Sequence, residues 1–273
     1  FENTGIYSSL LALVLSENSL DYAQVPALEI KRSLGITRGK SDKVDAKEIA
    51  HYAKRNTDKI ALSTLPELSL QQLKIVFAER EKTVAAIKTF ERTKENEMFL
   101  TKEVFNSVKA INNQTVKHLK KQLVMLDEKI RTLIREDENL YGQQQLLKSI
   151  PGIGDITSVY ILMATKGFTA FTSGRKFACY SGVAPFEHSS GTSIKGKTRV
   201  SHLADKKMKT LLHMASLTAI KYDPELKDYY NRKKAEGKHT MLVLNNIKCK
   251  MVYRIFAVIQ RKSNFVNLHK FAA

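Results

Sequence analysis

Apolar and polar positions change rhythm twice along the 273-residue chain, which divides it into three regions. Residues 1–65 alternate short apolar runs with helix-like patterns, which predicts α/β structure. IYSSLLALVLSEN, beginning at Ile6, reads as a helix and Tyr22 to Ala27 as a short strand. A second helix starts at Ser41, its N-cap, with Ile49, Ala50 and Ala53 on the buried side. Residues 66–147 open on Pro66 and then hold no Pro or Gly until Gly142. Here Val116, Leu119, Leu123, Leu126, Ile130 and Leu133 repeat at the alternating spacing of a coiled-coil seam. An earlier seam of Leu70, Leu73, Phe77, Val84 and Ile87 is interrupted by Arg80, and Asn112 and Asn113 mark a turn between the two. The region predicts a helical hairpin that packs on itself or on another copy of the chain. Residues 148–273 open with two apolar helices joined by a Pro-Gly-Ile-Gly turn. A small helix over Phe177 to Tyr180, a polar loop over Gly182 to Val200, a helix over Lys206 to Lys221, a last helix over Met241 to Lys262 and a frayed tail follow.

The formal charge of +18 is concentrated in one place. Residues 148–273 hold 22 cations against 7 anions, whereas the first two regions are nearly balanced. A domain that basic usually pairs with a polyanion, and the lack of a transmembrane-length apolar run or leader pattern points to nucleic acid before membrane; a solvated, merely soluble basic face has the same charge. The two cysteines, Cys179 and Cys249, lack the spacing of a zinc site and read as reduced, buried thiols of a cytoplasmic, nucleoid-associated protein.

Three stretches carry possible chemistry. Asp42 and Asp45 are three apart on a helix and therefore share a face, and Glu2 at a strand end could join them as hard oxygen ligands for Mg²⁺; the acidic pair equally suits a helix N-terminus. Gly152 and Gly154 can bring backbone N–H groups up to a phosphate, with the dipole of the following helix behind them, although a structural corner uses the same residues. In GVAPFEHSSGTSIKGKTRV, Ser190 precedes Gly191, and Lys195, Lys197 and Arg199 could neutralise an anion that the hydroxyl attacks; an ordinary surface loop has the same composition. Lys206 and Lys207, at the start of a helix, oppose its dipole and make sense against a phosphate backbone.

Four motifs in order, ENTG (Glu2 to Gly5), SDKVDAKEIA (Ser41 to Ala50), SIPGIG (Ser149 to Gly154) and GVAPFEHSSGTSIKG (Gly182 to Gly196), resemble the DEDD transposases of bacterial and archaeal insertion sequences, also described as bridge-RNA-guided recombinases. The resemblance spans essentially the whole chain. It implies a mainly α protein with an α/β N-terminal part: a RuvC-like (RNase H-like) domain over 1–65 lacking its opening strands, a coiled-coil region over 66–147, and an α-helical transposase domain with a helix-hairpin-helix over 148–273. It implies further that Glu2, Asp42 and Asp45 match the second, third and fourth acidic residues of the family's Mg²⁺ site, the first having no counterpart here. Ser190 matches the nucleophile, with Ser189 and Ser193 close by. The implied reaction cuts and rejoins DNA through a phosphoserine. The implied partners are DNA, a non-coding guide RNA and further copies in a dimer or tetramer. Because one acidic ligand is lacking, these 273 residues are expected to recombine DNA weakly or not at all. Two other readings stay open, a non-catalytic DNA-binding relic and a metal-dependent RuvC-type nuclease.

Overall fold

The structure, a computed structural model, describes residues 1–33, 35, 41–92, 98–190, 194–200 and 203–267, with the side chains of Ile6 and of 187–199 left aside. It is mainly helical and divides into two compact units, Phe1–Glu67 and Leu68–Ala273.

In the first unit, β1 (Glu2–Asn3) pairs in parallel with β2 (Val25–Pro26), Glu2 opposite Val25. Between them runs α1 (Ile6–Glu17). The strand expected over Tyr22 to Ala27 shrinks to Val25–Pro26 because α2 (Ala27–Ser33) starts immediately after the proline, whose fixed φ suits a strand edge and the approach to a helix. The next helix, α3 (Asp42–Arg55), is capped as the sequence predicts, the Ser41 hydroxyl accepting the Val44 N–H at 3.4 Å. Its anchor is not Ala50 or Ala53, which are exposed, but Tyr52, 5% exposed, whose hydroxyl donates to Glu29 of α2 at 2.6 Å. A large ring covers apolar area that two methyl groups cannot, and its hydroxyl still finds an acceptor.

The second unit begins with α4 (Leu68–Glu91) and α5 (Lys102–Arg135), which pack against each other along the two predicted seams. Leu70, Leu73, Phe77 and Ile87 of α4 and Val116, Ile130 and Leu133 of α5 are buried in that contact or in the core beyond it. The hairpin thus closes within one chain. Arg80, the interruption in the first seam, is met by Asp127 on the opposite helix (Nε to Oδ1, 2.6 Å). The turn is not at Asn112 and Asn113: α5 runs unbroken through both, and Thr101 caps it. Asparagine in a helix interior costs only about 0.7 kcal/mol, which a 34-residue helix packed along its length absorbs.

Beyond the hairpin come α6 (Glu138–Lys148), α7 (Asp155–Thr165), α8 (Gly174–Tyr180), the antiparallel strands β3 (Pro185–Ser190) and β4 (Ile194–Val200), and then α9 (Lys206–Tyr222), α10 (Pro224–Ala235) and α11 (Thr240–Arg261). The main core lies here, around α11, which packs on α6, α8, α9 and α10. Asp223 ends α9 and caps α10, accepting the Leu226 N–H, and its other oxygen takes the Arg254 guanidinium at 2.5 Å. Two expectations change. The stretch read as a loop over Gly182 to Val200 contains a β-hairpin: Ile194, Thr198 and Val200 are β-branched and spaced by multiples of two, the period of a strand. The tail is not frayed from Ser263, because the Phe265 N–H donates to Ser149 Oγ (2.8 Å) and the Phe265 ring lies 4.7 Å from the Arg254 guanidinium carbon. Both cysteines are free, and half-buried instead of buried.

Candidate nucleic-acid interface

The turn between α6 and α7 is set by its flanking isoleucines. Ile150 and Ile153, 1% and 5% exposed, pin it to the core, and the chain between them reverses at Gly152, whose φ is +93°. A Cβ on Gly152 would lie 2.3 Å from the Ala215 carbonyl oxygen and 3.0 Å from the Ala219 backbone nitrogen, both on α9. Gly152 is therefore a packing residue, required where the turn meets α9. Gly154 differs: it is the exposed N-cap of α7, with no side chain to satisfy the first N–H groups and open space around it. Of the two glycines, it is the one that leaves α7 backbone donors free for an anion. Asp155, in the first turn, already interacts with that end of the helix and pairs with Lys148 at 2.5 Å.

The β3–β4 hairpin grows from the far side of α8. Its register places Phe186 opposite Arg199, His188 opposite Gly196, Ser189 opposite Lys195 and Ser190 opposite Ile194, with an irregularity between Phe186 and His188. Ser190 is thus the last residue of β3, and Lys195, Lys197 and Arg199 all lie on the returning strand. Gly191 and Ser193 lie outside the described residues.

The root of this hairpin is built by residues that the sequence reading passed over. Asp205, the N-cap of α9, accepts the Met208 N–H on Oδ1, while Oδ2 receives the hydroxyls of Tyr160 (2.9 Å) and Tyr180 (2.8 Å). Its own N–H donates to the Tyr180 carbonyl at 2.9 Å. Tyr180 ends α8, just before the hairpin, so one carboxylate ties the entry of the arm to its exit. Burial, then the bond to Asp205, hold both phenols well above the usual tyrosine range. At the entry, Asn245 of α11 donates from Nδ2 to the Val183 carbonyl at 2.8 Å. A D-K-K start to a helix is a legible cap signal for Asp205, but nothing local reveals its tyrosine partners.

The cations at the start of α9 separate. Lys206 is exposed, whereas Lys207 pairs with Glu81 of α4, so its position needs no phosphate to explain it. The cap by Asp205 also offsets the dipole that these lysines oppose.

The expected magnesium ligands are not brought together. Asp42 and Asp45 share the first turn of α3 and Glu2 stands on β1, but among the described residues no three carboxylate, histidine or cysteine groups converge as a metal site. The hard cation would need more oxygen ligands than this carboxylate pair supplies, so these residues as placed do not fit it. No helix among the described residues is long and apolar enough to cross a membrane.

Comparison with known proteins covers both units. Residues 144–231 match the family described as Transposase IS116/IS110/IS902, and residues 1–96 match a DEDD model of the IS110 type described as a transposase. The pilin gene-inverting protein of Moraxella bovis is 29% identical over 236 residues, which are 86% of this chain and 70% of that protein. The IS900 42 kDa protein of Mycobacterium paratuberculosis is 33% identical over 47% of this chain and 33% of its own length. An IS110 43.6 kDa protein of Streptomyces coelicolor is 33% identical over 36% of this chain and 24% of its own length.

Proposed function

This chain belongs to the transposase family of the insertion elements IS110, IS116 and IS902, and from that premise we propose that it cuts and rejoins DNA through an intermediate linked to Ser190. The observation that carries the reading is the hairpin. A basic helical unit projects an anchored two-stranded arm, Ser190 closes one strand, and the other carries Lys195, Lys197 and Arg199.

In the proposed step the Ser190 hydroxyl oxygen bonds to a DNA phosphorus and the bond from phosphorus to the 3′ oxygen breaks. The serine proton ends on the departing 3′ hydroxyl, and the 5′ phosphate stays on the serine. Attack by the 3′ hydroxyl of another strand reverses the exchange, so the energy of the phosphodiester is kept. A serine hydroxyl is weakly nucleophilic at neutral pH, so the step calls for a cation that favours the charge building on the phosphate oxygens. The N–H groups at the start of α7, Lys206 and the cations of β4 would hold the backbone in place. Backbone contacts of this kind carry no sequence information, so target choice is assigned to a guide RNA, as the family resemblance implies. The α4–α5 seam is consumed within the chain, which leaves any dimer or tetramer to other surfaces. The moderate identity to a pilin gene-inverting protein supports site-specific rearrangement as the outcome. No step is routed through a metal, since among the described residues no three carboxylate, histidine or cysteine groups converge as a site.

The test is adduct trapping. Supercoiled DNA, guide RNA and Mg²⁺ are incubated with the protein, the reaction is quenched in detergent, and the DNA-linked peptide is mapped by mass spectrometry. Attachment at Ser190, even at the low yield expected of these 273 residues, and its loss in Ser190→Ala with DNA binding retained, would support the reading. Cleavage that survives Ser190→Ala but not Asp45→Ala would instead identify a metal-dependent nuclease, and unchanged behaviour in both variants a DNA-binding relic.

A further inference from the structure

Between α4, α7 and α8 lies an open cavity of about 320 Å³ in which the chemistry at Ser190 has no part. Its deepest lining is apolar: Phe77 and Met163 are 4% and 7% exposed. Two more rings, Tyr160 and Tyr180, complete the walls, and the Phe77 and Tyr160 centroids stand 5.6 Å apart. Both phenol hydroxyls are engaged by Asp205, at 2.9 and 2.8 Å, so these rings are pinned and offer the cavity their carbon surfaces.

The mouth has the opposite chemistry. Lys74 of α4 and Lys166, the C-cap of α7, also line the cavity, and both are exposed. Among the described residues neither ammonium pairs with a carboxylate. Lys166 has a φ of +49°, in the left-handed region where a helix end ordinarily places glycine. Glycine there would relieve the backbone, but it would take a cation away from the cavity.

These walls narrow the choice of occupant. A bare anion would use the lysines and leave the rings uncovered, and an aliphatic group would leave the lysines without a counter-charge. A sugar would find both phenols already taken. A nucleobase attached to its phosphates meets both demands, with a flat π face for the rings and the thioether and oxygens for two ammonium groups. The volume is at the small end of ligand sites, which suits one base and not a stacked pair. A base inside a duplex has its faces covered by its neighbours and must leave the stack to enter.

We propose that this cavity takes one unpaired base of a DNA strand, with Lys74 and Lys166 on the flanking phosphates. Tyr180 is the last residue of α8, so the cavity shares a wall with the root of the β3–β4 arm, and a base lodged there would hold a separated strand beside it. The choice of DNA rests on the strand-exchange reading; the lodging of a base needs no chemistry at Ser190.

Fluorescence anisotropy of the full chain with a labelled oligothymidine, and with an abasic strand of the same length and charge, isolates the base. The wild type should prefer the strand with bases by about 5–100-fold. Ala78 is exposed and lines the cavity, so Ala78→Leu should cut that preference at least about fivefold while the abasic strand binds as before. Lys74→Gln and Lys166→Gly should each lower the slope of log affinity against log salt by about 0.7. Lys166→Gly should also hold or raise the urea midpoint, so that its weaker binding is not a loss of fold. A wild type that binds both strands alike, or a preference and slopes that survive all three variants, overturns the site. A preference seen with oligouridine and not with DNA assigns the base to RNA and overturns the proposal. A base preference without an adduct at Ser190 would leave this cavity standing and sink the strand-exchange reading, and an adduct without a base preference would do the reverse.

Discussion

Replacing Gly152 with alanine tests whether the α6–α7 turn is held by packing. The backbone there has φ of +93°, where a Cβ costs about 1–2 kcal/mol. The new methyl would also lie 2.3 Å from the Ala215 carbonyl oxygen, an atom of a buried helix backbone that cannot swing aside. Forcing such an overlap costs a further 1–3 kcal/mol or so, for a total of about 2–5 kcal/mol. Gly154→Ala is the internal control: nothing lies within 4 Å of its Cβ and its φ is −100°, so only the poorer N-cap is felt and the loss should stay within about 1 kcal/mol. Urea unfolding followed by circular dichroism measures both, provided the slopes match wild type. DNA binding should show the reverse ranking, because a methyl on Gly154 stands where a phosphate would approach the α7 N–H groups. Two glycine variants of equal stability would refute the packing argument. A Gly154→Ala variant with undiminished DNA affinity would remove that helix end from the interface.

Other expectations follow from the polar contacts. Asp205→Asn should cost about 1–3 kcal/mol, since it weakens a helix cap and disturbs the acceptor of two phenols. In wild type the phenols of Tyr160 and Tyr180 are held protonated in the folded state. Their contribution to stability is therefore complete below the ordinary tyrosine range near pH 10 and disappears as the pH climbs through their raised values. Ultraviolet titration of the 10 tyrosines should show both among the last to ionise, and Asp205→Asn should return them toward the main transition; two tyrosines that titrate with the rest in wild type would contradict the clamp. Arg80→Ala alone should destabilise by about 1–3 kcal/mol by stranding Asp127, whereas Arg80→Leu with Asp127→Leu should be neutral or stabilising in thermal melts, the usual behaviour of a sheltered ion pair replaced as a unit.

The sequence was most readable where a period repeats. The α4–α5 seams could be read because six apolar residues kept one spacing over several turns, so no single substitution could blur them. The turn at Asn112 and Asn113 was misplaced because a small local propensity was weighed against packing along a whole helix, and packing won. Glycines, serines and lysines concealed the β3–β4 arm: the strand signal lies in Ile194, Thr198 and Val200, diluted by residues that also suit loops. Asp205 shows the deeper limit. Its cap is local, but its hydrogen bonds to Tyr180 and Tyr160 span 25 and 45 residues, and no window along the chain holds them together. For Glu2, Asp42 and Asp45 spacing makes only the helical pair legible: Asp42 and Asp45 do share the first turn of α3, while among the described residues no third group completes a metal site with them.

The bond from the Phe265 N–H to Ser149 Oγ spans 116 residues and brings the last described stretch back to the end of α6. For anyone engineering the protein this decides where a label belongs. A label carried at Phe265 sits in the neighbourhood of the turn that leads to Gly154, where its bulk would compete with an incoming duplex. Removing the chain from Phe265 onward is no neutral trimming either, because it uncaps Ser149 and strips the ring from Arg254, whose other face of contacts reaches Asp223 and Glu225.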